Sequence, residues 1–134
     1  MNPDVADMPE DVRAVFRGFD EATRAALLEL RALIFDVAGS DPRIGQVTET
    51  LKWGQPSYLT SAPKSGTTVR LGVPRSGGYG LYVPCSTTLI ADFRAEHGSG
   101  LDFDGNRGIL FAHGPRRPDT LLRLFLGRAM TYHI

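Results

Sequence analysis

The spacing of apolar residues changes at about residue 46. Before that point Leu27, Leu30, Leu33, Ile34 and Val37 recur three or four apart, as they do along one face of a helix. The pattern predicts a helix over about 20–38, with Asp20 as N-cap, Gly39 as stop and Pro42 just beyond. Leu28 and Phe35 form a second apolar strip on it, which needs separate cover. The nearest supplier is the segment 9–19, where Val12, Phe16 and Phe19 are helically spaced behind a proline suited to a first turn.

From Gln46 onward the period is two, the spacing of strands. Val69, Leu71 and Val73 are expected to point one way and Thr68 and Arg70 the other. Tyr79, Leu81 and Val83 repeat this, and residues 74–78 between the two runs carry the glycines of a hairpin turn. That turn lacks the lysine–serine ending of a phosphate-binding loop and the spacing of a dinucleotide fingerprint. Ser86 is expected to cap a short helix to about residue 95, with Leu89, Ile90 and Phe93 on its apolar side. Residues 101–103 and 108–112 flank Asp104-Gly105-Asn106, a turn signal for a second hairpin. A last helix over about 118–130 has a wide apolar face of Leu121, Leu122, Phe125, Leu126, Ala129 and Met130. The expected fold is α+β: a single domain whose antiparallel sheet of about five strands is flanked by N-terminal, middle and C-terminal helices. Residues 1–19 are taken as a partly helical extension, 20–131 as the domain and 132–134 as a tail.

Composition narrows the functional classes. A chain of 134 residues, 42% hydrophobic and 22% charged, can bury a core without a disulfide or a structural metal. Fifteen basic and fifteen acidic residues cancel, so no overall basic field draws the chain to nucleic acid, which is not an expected partner. The lone Cys85 excludes an intrachain disulfide, and the Asp-rich N-terminus has no apolar signal segment, so a cytoplasmic location is expected. No apolar run approaches the roughly 18 residues of a membrane span, so a membrane is not an expected partner either. The charge is uneven along the chain: residues 1–50 hold ten acids and five arginines, residues 51–134 five acids and ten bases. Either the two halves neutralise each other on packing, or the acids form a binding ridge.

The run Glu49-Thr50-Leu51-Lys52-Trp53-Gly54-Gln55-Pro56-Ser57-Tyr58 holds the only tryptophan. Pro56 keeps Gln55 extended and gives no donor to a ladder, while Gly54 permits positive φ, so the strand is expected to bend or end here. Trp53 and Tyr58 would then stand at the sheet rim. They either cap the core, or form one wall of a groove in which Lys52, Gln55 and Arg70 orient a ligand or peptide. Cys85 is the candidate for covalent chemistry, because it precedes the expected helix cap and a helix N-terminus favours a thiolate. None of His97, His113 and His133 falls in a thiol-enzyme pattern, and no two have zinc spacing. The functional expectation is a non-enzymatic binding or chaperone-like module, a monomer or homodimer, whose partner is a small molecule or a protein. A thiol-dependent enzyme using Cys85 is the rival.

The run from Glu49 to Tyr58, with Leu81-Tyr82-Val83-Pro84, Gly108-Ile109-Leu110-Phe111 and the closing leucine-rich helix, resembles the YdhG-like proteins, domain of unknown function 1801. The resemblance covers about residues 20–131, and its most specific part is the lysine-tryptophan-glycine-any-proline-any-tyrosine run. It implies a secretion-chaperone-like α+β fold. Because some members are described as frataxin-like iron chaperones, it also implies iron as a candidate cofactor. The weak metal candidates are Glu29 and Asp36. Seven residues on one helix flank place them about 10.5 Å apart along the axis, too far to share an ion without a further acid. Asp41 and the Asp4, Asp7, Glu10 and Asp11 cluster are the available donors.

Overall fold

The computed structural model describes residues 7–98, 100–114 and 116–134. Four helices and a six-stranded antiparallel sheet form one α+β domain, built in the order α1 (Glu10–Gly18), α2 (Glu21–Ser40), β1 (Gln46–Lys52), β2 (Gln55–Ala62), β3 (Val69–Gly72), β4 (Tyr79–Tyr82), α3 (Leu89–His97), β5 (Asp102–Asp104), β6 (Gly108–Phe111) and α4 (Asp119–Met130). Across the sheet the strands run β1-β2-β3-β4-β6-β5.

The strand beyond the expected five comes from the Trp53-Gly54 dipeptide. Both residues have positive φ, 57° and 72°. That is what a two-residue type I′ hairpin demands, so the chain reverses where a kinked single strand is expected. Lys52 pairs with Gln55 across the turn and Leu51 with Pro56. In a two-residue hairpin the residues next to the loop exchange the hydrogen bonds, so Leu51 and Pro56 form a pair that needs no donor from either side. Pro56 therefore fits the strand it is expected to break.

Asp20 caps α2 as the sequence predicts, its carboxylate accepting from the Thr23 amide at 2.8 Å. The helix runs through Gly39 to Ser40 instead of stopping at Ala38. The stop is Pro42, which keeps the residue before it out of helical geometry; Asp41 is extended at φ −126° and ψ 107°. α3 begins at Leu89, later than Ser86 predicts. Thr87 donates both its amide and its hydroxyl to the Pro84 carbonyl, so a turn occupies the residues that would have capped the helix.

α1 and α2 lie against β1, β2 and β4, and α4 packs on α2 and α3. The shared core takes Leu27, Leu30 and Ile34 of α2, Leu71, Leu81 and Ile109 of the sheet, Phe93 of α3 and Phe125 of α4, all fully buried. Met8, Val12 and Phe16 belong to the same core, so α1 is part of the domain rather than an extension ahead of it. The C-terminus is tied down as well, the His133 amide donating to the Ser65 carbonyl. Phe35 is covered by the Tyr58 ring, edge-on at 5.7 Å, and not only by its neighbours along the chain. Val73, expected to point inward with Leu71, lies beyond the end of β3 and is largely exposed.

Candidate functional site

Alternation splits each strand between two faces, and here it separates core from site. The inward residues Tyr58, Val69, Leu71, Leu81 and Ile109 meet the helices. Their neighbours in register, Ser57, Arg70, Tyr82, Gly108 and Asp104, form one row across the opposite face, and Gly72, Gly80, Leu110 and Asp102 form the next. Around β3, β4 and β6 this face forms a groove of about 520 Å³, bounded by the β3–β4 turn at Val73, Pro74, Arg75 and Ser76 and, at the other end, by Asp104 and Arg107.

The floor is shaped by missing side chains. A Cβ on Gly80 would meet Tyr82 ring atoms at 2.8 Å, and one on Gly108 would meet them at 2.7 Å. Neither glycine has positive φ, so the backbone would accept another residue and the space would not. The Tyr82 ring lies in this trough and is only 7% exposed. Burial first, then the negative charge of Asp104, push its phenol above the usual tyrosine value, although Arg107 and Arg70 oppose the shift. It is therefore a neutral O–H donor at ordinary pH. That hydroxyl has no hydrogen-bond partner among the described residues, yet it is not sealed from solvent, so it faces the groove.

Three arginines line the same groove. Arg70 donates to the Gln55 side-chain carbonyl at 3.0 Å. Arg107 is held by Asp104 at 3.2 Å. Arg75, in the turn, has no hydrogen bond or ion pair among the described residues. Arginines fixed by one partner keep free N–H groups in a planar fork, suited to carboxylate and phosphate oxygens.

Of the sequence candidates, Gln55 and Arg70 are thus brought together in the groove. Lys52 is exposed at the end of β1 and does not line it. Trp53 and Tyr58 do not share a wall. Trp53 is 89% exposed at the hairpin tip, while Tyr58 is 1% exposed on the helix side, because a residue five positions further along a strand hairpin has switched faces. Tyr58 instead donates to Glu49 at 2.8 Å, and Glu49 accepts two bonds from Arg31, at 2.6 and 2.9 Å. Both charged side chains are more than 90% buried. Burial opposes the charge on Arg31, but the bonds and charge of Glu49 outweigh it and raise its pKa, while burial and Glu49 together push the Tyr58 phenol well up. This cluster joins α2 to the β1–β2 hairpin.

Cys85 is exposed in the turn four residues before α3, away from the helix terminus expected to activate it. The histidines are engaged elsewhere: His97 with Phe93 and Glu96, His113 with Thr23 and Tyr79, His133 with Tyr132. Glu29 accepts from Arg117 and Asp36 from Arg123, so α4 neutralises the acidic flank of α2. Asp41 is paired with Arg43, and Glu10 with Arg13 and Arg17. Asp4 lies outside the described residues. No group of three or more potential metal-ligating side chains converges among the described residues.

Sequence reasoning does not reach Tyr82, Arg75, Asp104 or Arg107. The available signal is the residues out of phase with the buried alternation: Arg70 and Gly72, then Gly80 and Tyr82, then Gly108. Compared with family models, with curated proteins and with solved structures, the chain matches none. No helix among the described residues is long and apolar enough to cross a membrane.

Proposed function

We propose that the chain is a non-enzymatic binding module that takes a small oxyanion-bearing molecule in the groove on the open sheet face. The observation that carries this reading is the Tyr82 hydroxyl: more than nine-tenths of the residue is buried, its O–H has no partner among the described residues, and it faces a groove lined by Arg70, Arg75 and Arg107. A ligand oxygen entering the trough would take the place of the solvent that this O–H meets and accept its hydrogen bond. The resemblance to YdhG-like proteins belongs to the same proposal, because Gln55, which orients Arg70, lies in the run that carries it. A cytoplasmic setting goes with it, since an exposed lone thiol suits a reducing compartment. The iron reading is not favoured, because Glu29 and Asp36 are each held by an arginine. The thiol-enzyme reading is not favoured either, because no histidine is hydrogen-bonded to Cys85 among the described residues.

The test is an amide-resolved NMR titration with a panel of carboxylates and phosphates. Shifts centred on Gly72, Gly80, Tyr82 and Arg107 are expected, weakened in Tyr82→Phe and Arg70→Gln. Shifts centred on another surface, or none with any anion, would reject the reading.

A further inference from the structure

The groove has more charge than one simple anion needs. Arg107 is largely compensated by Asp104, which accepts from its Nε at 3.2 Å. Arg70 is oriented by Gln55, which is neutral, and Arg75 has no partner among the described residues. With three arginines and one aspartate among the lining residues, two positive charges stay uncompensated, and they belong to Arg70 and Arg75. These sit on separate structures, Arg70 in β3 and Arg75 in the turn after it, with the Tyr82 hydroxyl on the floor of the same groove.

Building on the binding reading above, we infer that the ligand is a dianion: a phosphate monoester or a dicarboxylate rather than a singly charged acid. Arg70 and Arg75 each meet one negative charge, and the neutral Tyr82 phenol donates to an oxygen between them. The volume of about 520 Å³ exceeds that of a bare ion and suits an organic molecule carrying the charges. Leu110 and the ring of Pro74 give its uncharged part an apolar edge to lie against. A monoanion would leave one guanidinium without a partner and give up one charge-assisted bond.

Two matched pairs of probes test this at pH 8 and fixed ionic strength: methyl phosphate against dimethyl phosphate, and succinate against butyrate. Methyl phosphate carries two charges at that pH, since the second phosphate pKa is about 6. The dianion of at least one pair is expected to bind about tenfold or more tightly than its monoanion, the size of one charge-assisted hydrogen bond. A preference in the phosphate pair alone points to a phosphate monoester, and one in the succinate pair alone to a dicarboxylate; either supports the inference. In Arg75→Ala, an exposed turn variant expected to fold normally, the preference should fall towards unity; a preference kept in full would overturn the pairing of the second charge with Arg75. Equal binding within both pairs would overturn the dianion inference and leave the anion site standing. No binding of any probe would overturn both.

Discussion

Tyr58 and Tyr82 occupy opposite faces of one sheet, and each is more than nine-tenths buried. Their hydroxyls differ. That of Tyr58 is fixed by Glu49 inside a charged cluster, while that of Tyr82 meets only the groove. The helix-side face turns its polar groups on one another, Arg31 and Tyr58 both bonding Glu49. The open face leaves donors unspent. In a protein whose strands each feed both faces, unsatisfied polarity marks the face that meets something else.

The largest effect should come from opening the cluster around Glu49. Glu49→Ala removes the buried counter-charge of Arg31, and breaking a buried pair in this way costs about 3–5 kcal/mol. Urea denaturation should show the loss in the midpoint, and a change below about 1 kcal/mol would mean that the cluster is solvated in solution. Next comes the floor of the open face. Gly80→Ala drives a methyl into the Tyr82 ring and should cost about 1–3 kcal/mol by overpacking, with loss of the anion-induced NMR shifts. If Gly80→Ala is neutral in stability and binding, the ring does not rest where the trough places it.

The two phenols can be compared directly. Tyr58→Phe removes a bond to a charged acceptor and should cost about 1.5–3 kcal/mol, while Tyr82→Phe removes no protein bond and should change stability by under about 0.5 kcal/mol. Tyr82→Phe should instead weaken anion binding. The raised folded pKa of Tyr58 also sets a pH slope: its contribution is complete below the unfolded value of about 10 and is lost as pH rises beyond it. Tyr58→Phe should flatten that alkaline loss. The one effect of opposite sign belongs to Trp53→Asn. A tryptophan at φ 57° in a hairpin position that favours asparagine or glycine carries strain, so the variant should gain about 0.5–1 kcal/mol and bind anions as before. Weakened binding would put the hairpin tip into the site.

What was legible in the sequence follows from how local each cause is. Asp20 could be read as a cap because the amide it serves is three residues away. The buried alternation of Tyr79, Leu81 and Val83 was readable for the same reason. The Trp53-Gly54 reversal was not, because a tryptophan at positive φ contradicts its own local preference and only the pairing of β1 with β2 holds it there. Gln55 and Arg70 were found as polar residues near a presumed bend, although they meet through cross-strand register and not at a rim. Tyr82 was obscured by its neighbours: glycines in strands read as weak strand, and their purpose emerges only when three strands place them under one ring.

The strand order builds the groove from two separate pieces of the chain. β1 to β4 form a meander closed by short turns, and β5 with β6 form a separate hairpin that joins by laying β6 beside β4. Gln55, Arg70, Arg75 and Tyr82 come from the first piece, and Asp104, Arg107 and Leu110 from the second, with the whole of α3 in between. The groove is therefore a seam. An anion held across it clamps the β5–β6 hairpin to the meander, so occupancy should slow amide exchange in β6 even at residues that never touch the ligand.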